Sequence, residues 1–204
     1  MPQKKPATNL CAAWVLLQER KSKKDSPGGF RMGFDQTEVS DAVRLIQHFE
    51  SCMFPIGGGS FTSYPDPAHG WRIPTVGWGT THYENGRRVK RGDVISQDRA
   101  DELLAWEVRE KASAVVKSVN VPMSQNQFEA MVSFAYNVGA TGFKRSRVAT
   151  LLNSGDYQGA ADALLERPPP SESVRIGLLR RRTSERNLFL GERDYIVTFS
   201  DFVS

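Results

Sequence analysis

Apolar residues Val39, Ala42, Val43, Ile46 and Phe49 recur at helical spacing, which predicts a helix over residues 37–51. The period then breaks. Residues 55–92 are rich in glycine, proline, aromatic and β-branched residues, and short strands fit 61–64, 75–78 and 87–90. Gly57-Gly58-Gly59 reads as a loop, and Glu84-Asn85-Gly86 carries the Asn-Gly signal of a tight hairpin turn. Helical spacing returns at Ser96, which can cap a helix to about residue 119 with Leu103, Leu104, Val108, Ala112 and Val115 inside. Ser124 can cap a second, carrying Phe128, Met131, Val132 and Ala135 and stopping at Gly139. A third spans about 143–153 and stops at Gly155, and Asp156 caps a fourth that ends before Pro168-Pro169-Pro170. A fifth runs from about 173 to 190 and stops at Gly191. One helix, a small antiparallel β lobe and a larger helical lobe make an α+β chain whose elements are segregated along the sequence.

Charge changes this picture only at the N-terminus. Net charge is +4, and residues 1–35 hold seven Lys or Arg against three acids, so the other 169 residues balance. The expected organisation is therefore a basic extension over 1–36, a main domain over 37–191 and a tail over 192–204. A neutral main domain argues against a nucleic-acid partner. The apolar run 10–17 lies between basic flanks but is far shorter than the roughly 20 residues of a membrane span. It has no small-x-small cleavage site after it and reads as an arm docking on the domain. Neither Cys11 and Cys52 nor His48, His69 and His82 show metal-ligand spacing, so no metal is expected.

Two acids stand out. Glu50 falls in the last turn of the first helix, and Asp66 is the only acid in residues 51–83, held between Pro65 and Pro67. A carboxyl pair across a cleft is what glycoside hydrolysis requires: one group donates to the leaving oxygen, and the other stays ionised to activate water or stabilise the sugar cation. Most Glu/Asp pairs are surface decoration, so spacing alone leaves this open. Thr75-Val76-Gly77-Trp78-Gly79 adds to it. A threonine hydroxyl can hold a water beside a carboxylate. The glycines allow close backbone approach. Trp78 either offers a face to a sugar ring or fills the core.

Leu45-Ile46-Gln47-His48-Phe49-Glu50-Ser51, Tyr64-Pro65-Asp66 and Thr75-Val76-Gly77-Trp78-Gly79-Thr80 resemble, in order, the motifs of the phage T4-type lysozyme family. So do Phe134-Ala135-Tyr136-Asn137-Val138-Gly139, Leu151 to Tyr157, and Gly177-Leu178-Leu179-Arg180-Arg181-Arg182 with Glu185 and Leu188. The resemblance runs over about residues 37–191. It implies a lysozyme-like fold with its cleft between the two lobes. It also implies a monomeric muramidase that cuts the β-1,4 bond between N-acetylmuramic acid and N-acetylglucosamine in peptidoglycan, with no cofactor. Glu50 would be the general acid, Asp66 and Thr75 would position water and stabilise charge, and Trp78 and Asn137 would contact substrate. An endolysin of this kind is made in the host cytoplasm and acts on the cell wall. Fifteen residues separate Glu50 from Asp66 and eight separate Asp66 from Thr75, both more than is usual in the family. The extra residues are of loop type and imply an enlarged cleft rim. The same fold and chemistry would also suit a toxin delivered between bacteria, and the fold alone an inactive peptidoglycan-binding module.

Two further expectations concern single residues. Val174, Leu178, Arg181, Glu185 and Leu188 share one helix face, which puts a cation on an apolar stripe. Arg181 should be buried and paired, with Glu185 or with Glu50. Cys52 stands two residues after Glu50. It either packs as a small hydrophobe or, in a disulfide, draws the end of the Glu50 helix out of register, as in endolysins held inactive until a thiol is released.

Overall fold

The structure, a computed structural model, describes residues 35–50, 54–66, 69–166 and 172–203. Cys11, Cys52 and most of the basic extension lie outside these residues.

The first helix, α1 (Ser40–Glu50), buries Ala42, Leu45 and Ile46 and ends on Glu50 itself. Five short strands follow: β1 (Pro55–Gly57), β2 (Ser60–Thr62), β3 (Tyr64–Asp66), β4 (Gly70–Thr75) and β5 (Val94–Ser96). They form two antiparallel sheets, one in the order β1-β2-β5 and a β3-β4 hairpin. Strands β1 and β5 have no sequence counterpart among the expected ones. The expected strand over 75–78 is the end of β4 followed by a tight turn, closed where Val76 and Thr80 exchange backbone hydrogen bonds of 2.9 and 3.0 Å. The expected strand over 87–90 is only a bridge, Arg88 to His82, across the Asn-Gly turn. Phe61, Val76, Tyr83, Val89 and Ile95 make the β-lobe core and are joined to the helical lobe by Ala100 and Leu103.

Helix α2 (Gln97–Ser118) starts where the Ser96 hydroxyl accepts from Arg99 N, and α3 (Gln125–Lys144) opens with a complete capping box between Ser124 and Gln127. The expected stop at Gly139 is a kink: Gly139 takes φ 78°, and the helix resumes to Lys144. Phe143, expected in the next helix, therefore closes α3, and α4 (Arg147–Asn153) starts on the cap Ser146. Asp156 caps α5 (Tyr157–Ala163). Helix α6 (Glu172–Leu190) ends before Gly191 at φ 83°, and α7 (Phe199–Val203) lies in the tail. Helix α3 is the hub, packed on α1, α2 and α6, with Phe128, Met131 and Phe143 fully buried. The C-terminal segment docks on this body: Tyr195 is buried, its hydroxyl donates to Asp41 at 2.6 Å, and Val197 N donates to Ser184 at 2.8 Å.

Among the described residues, no helix is long and apolar enough to cross a membrane.

Candidate active site

The site is built on α1, and the far end of that helix is unusually well held. The first-turn N–H groups of a helix have no partner inside it. Here Glu129 of α3, buried to 2% exposure, supplies one: its carboxylate accepts from Asp41 N at 2.7 Å and Ala42 N at 3.1 Å. Burial pushes the Glu129 carboxyl above its usual range, partly offset by the hydrogen bonds from Gln125 and the two backbone amides. A negative group at this end also suits the helix dipole.

At the other end Glu50 faces outward, its side chain 24% exposed against 4% for its partner Arg181. Arg181 Nη1 donates to Glu50 Oε1 at 2.5 Å and Arg181 Nε to Glu185 Oε1 at 3.1 Å. The sequence posed Glu50 and Glu185 as alternatives, and Arg181 pairs with both. Glu185, fully buried, also accepts from Ser133 at 2.8 Å and from Arg182 at 2.5 Å. Arg182 donates onward to Asn137 Oδ1 and lies 4.6 Å from the Phe134 ring centre. Two guanidinium groups and two carboxylates thus share one buried network, with each charge matched and hydrogen-bonded, the condition under which buried ions are tolerated. Burial works against the Arg181 charge, but the Glu185 and Glu50 charges and hydrogen bonds outweigh it and push its pKa up.

The turn 76–80 brings its backbone against Glu50. Gly79 has φ 110°, and a Cβ placed there would lie 3.5 Å from Glu50 Oε2 and 3.9 Å from the Tyr136 hydroxyl. Gly77 has φ 60°, with Ala100 Cβ only 3.1 Å from where its own Cβ would be. Both glycines are demanded by backbone angle, and Gly77 also by space. The indole N–H of Trp78 donates to Asp101 at 2.7 Å, and its ring packs on the β-lobe core. The Trp78 carbonyl accepts from Tyr136 at 3.0 Å.

Near this turn lies a further acid, one that no sequence motif marks. Glu107 of α2 stands close enough to the Thr80 and Tyr136 hydroxyls for both to favour its ionised form. Burial pushes its carboxyl above the usual range. The Thr80 and Tyr136 hydroxyls and Lys111 oppose the shift, and the charge of Glu50 adds to it. The Tyr136 phenol is pushed well above its ordinary value, by burial first and then by the charges of Glu107 and Glu50. A signal for Glu107 was present, since it stands three and four residues after the buried Leu104 and Leu103.

Asp66 ends β3 and is partly exposed. Its carboxylate accepts from His69 N at 2.7 Å and lies 2.9 Å from His69 Nδ1. Thr75, at the end of β4 and buried, pairs in register with Tyr64 and turns its hydroxyl to the Ile73 carbonyl at 3.3 Å. Both therefore stand in the β3-β4 hairpin, which leads directly into the 76–80 turn. Asn137 is exposed, one turn from the buried network that holds its carbonyl oxygen. The contacts described here join Glu50 to Arg181 and to the Gly79 turn, and join Asn137 to the same network through Arg182. A separate cavity beside α1, lined by Arg44, Gln47, His48 and Tyr195, takes in none of the expected site residues.

Residues 55–185 match the model of the phage lysozyme family. That span takes in Asp66, Thr75, Trp78, Asn137, Arg181 and Glu185, while Glu50 stands just before it. The endolysin of Bacillus phage B103 is 42% identical over 116 residues, which are 57% of this chain and 43% of that protein, so the chain spans less than half of it. The endolysin of Salmonella phage P22 is 39% identical over 118 residues, 58% of this chain and 80% of that one. Among solved structures, a mutant of P22 lysozyme superposes with a TM-score of 0.60 at 32% identity, covering 79% of this chain and 100% of that chain. The muramidase domain of SpmX from Asticaccaulis excentricus does so with a TM-score of 0.61 at 30% identity, covering 75% and 97%.

Proposed function

Because the chain belongs to the phage lysozyme family, we propose that it is an endolysin that hydrolyses the β-1,4 bond between N-acetylmuramic acid and N-acetylglucosamine in bacterial peptidoglycan. The supporting observation is the way Glu50 is held. Arg181 donates to Oε1. A proton on the Glu50 carboxyl then belongs on Oε2, the oxygen that faces Gly79. The absent side chain at Gly79 leaves Oε2 open to the glycosidic oxygen of a bound glycan. Glu50 gives its proton to that oxygen as the bond to the anomeric carbon breaks, and water completes the new C–O bond. Asp66 and Thr75, from the neighbouring hairpin, orient the water and stabilise the positive charge on the sugar. Trp78 and Asn137 border the glycan, and the cell wall is the site of action.

The experiment is clearing of purified cell walls by wild type and Glu50→Gln. Glutamine keeps the shape and the Arg181 contact but has no proton to give. The variant should fold normally and lose nearly all activity. Clearing near the wild-type rate would overturn the role given to Glu50, and a wild-type protein that binds walls without clearing them would overturn the activity.

A further inference from the structure

The β3-β4 hairpin that carries Asp66 and Thr75 is irregular where Asp66 stands. One step along β3, from Pro65 to Asp66, answers to four along β4, from Pro74 to Gly70. An irregularity of this kind bends the strand and re-aims the side chains beside it. Gly70, at φ 59°, lets the chain turn back directly after His69. His69 meets Asp66 twice: its backbone N–H donates to Asp66 Oδ1 at 2.7 Å, and its ring Nδ1 lies 2.9 Å from the same oxygen. We propose that His69 is a positioning residue for Asp66: its ring donates from Nδ1 and fixes the direction in which the carboxylate faces the water and the sugar.

The backbone N–H of His69 closes the turn, and any residue but proline at this position could supply it. The ring adds what the backbone does not. It is a second donor on the same oxygen, from another direction, and so restrains the plane of the carboxylate as well as its reach. An ionised carboxylate only accepts, so the ring must present a proton at Nδ1, as the neutral Nδ1–H tautomer or as the imidazolium. The His69 side chain is 53% exposed and that of Asp66 27%. A contact this exposed adds little to stability. Its effect is on orientation, and a group that places water against an anomeric carbon depends on orientation, where a displacement of about 1 Å can cost roughly a hundredfold in rate. His69 lies in the stretch between Asp66 and Thr75 that is longer than is usual in the family, so the contact is supplied by the enlarged rim.

This inference rests on Asp66 as the group that orients water, so its test includes a readout that does not depend on activity. Full-length protein is labelled with ¹⁵N-histidine, and the His69 ring resonances are identified by their loss in His69→Asn. Spectra are taken at about pH 8, where an ordinary imidazole is neutral. In wild type the neutral His69 ring should carry its proton on Nδ1, and in Asp66→Ala the proton should move to Nε2, the tautomer imidazole prefers in water. With soluble glycan fragments as substrate, His69→Ala should lose kcat on the order of tenfold with KM held within about twofold. His69→Asn, whose amide nitrogen stands near the place of Nδ1, should recover most of the loss. Urea midpoints of both variants should stay close to that of wild type. A wild-type ring protonated on Nε2, wild-type kcat in His69→Ala, or no recovery in His69→Asn overturns the proposal. Wild-type kcat in Asp66→Ala would instead remove the role of Asp66 and leave the His69–Asp66 bond standing.

Discussion

Arg181 reaches Glu50 from inside the protein: the cation is 4% exposed, its carboxylate partner 24%, and Nη1 and Oε1 are 2.5 Å apart. The pair ties the end of α1 to α6 across the helical lobe. Its geometry is set by a third residue, because Nε of the same guanidinium is held by the fully buried Glu185. A planar group fixed at one edge offers the other edge in one direction only, which lysine could not do.

Arg181→Met should therefore harm both stability and activity. Removing one partner from a buried charged network leaves the others uncompensated, at a cost of about 3–5 kcal/mol. Urea unfolding measures that loss. Lysis should drop further than the folded fraction does, because Glu50 loses the contact that orients it. Activity that simply tracks the folded fraction would show that Arg181 serves the fold alone.

Gly79→Ala tests the closeness of the turn to Glu50. Its φ of 110° is a region that L side chains rarely adopt, and an alanine there should cost about 1–3 kcal/mol. The new methyl would also stand 3.5 Å from Glu50 Oε2, between the carboxyl and any glycan. Gly86→Ala is the control. Gly86 has φ 79°, with nothing within 4 Å of its would-be Cβ. Both variants should lose comparable stability, but only Gly79→Ala should lose wall-clearing activity. Equal activity in the two would remove the close-approach reading of Gly79.

What could be read from the sequence follows from how local each feature is. Ser96, Ser124, Asp156 and Gly191 mark helix ends through contacts within a few residues, and all four do so in the structure. Strands β1 and β5 are three residues long, and two of their side chains, Ile56 and Val94, are exposed. Their pairing comes from β2, not from any alternation of their own. Gly139 has the backbone of a helix stop, yet Phe143 is drawn into the core behind it and the helix resumes. At the site, Arg181 announced itself as a cation on an apolar stripe. Glu107 shares the face of Leu103 and Leu104, but α2 carries so many charges that one more acid looks like surface. Trp78 divided two readings, and its indole N–H and ring are engaged with Asp101 and the β-lobe core.

Glu129 gives a stability that depends on pH. Its carboxyl is raised above the usual range, so the folded state binds its proton more tightly than the unfolded state. Its contribution is fully present below the unfolded pKa, near 4.3, and is lost as pH rises through the folded value. Glu129→Gln has no such titration. The stability of wild type relative to Glu129→Gln should therefore fall between about pH 4 and pH 7, as measured by urea unfolding at both ends. A difference that stays constant, or grows with pH, would mean that the cap works mainly as an ionised group whose amide bonds outweigh its burial.

Tyr195 tests whether the C-terminal segment braces the helix that carries Glu50. Its buried hydroxyl donates to Asp41 in the first turn of α1 at 2.6 Å, and Arg44 lies over its ring at 5.9 Å. A hydrogen bond to a charged group is worth about 1.5–3 kcal/mol, and Tyr195→Phe should cost roughly that much. Burial, and then Asp41, push the Tyr195 phenol well above its ordinary value. The neutral phenol is thus the form the fold prefers. Its stabilisation is complete below the ordinary tyrosine pKa of about 10 and is lost as pH climbs beyond it towards the folded value. The gap between wild type and Tyr195→Phe should accordingly be constant from neutral pH to about pH 9 and close at higher pH. Lysis at neutral pH should change little, since phenylalanine keeps the ring packed on α1. A gap absent at neutral pH would show that the segment lies on the domain without bracing it. A gap that widens above pH 10 would overturn the Tyr195–Asp41 hydrogen bond as the source of the stability.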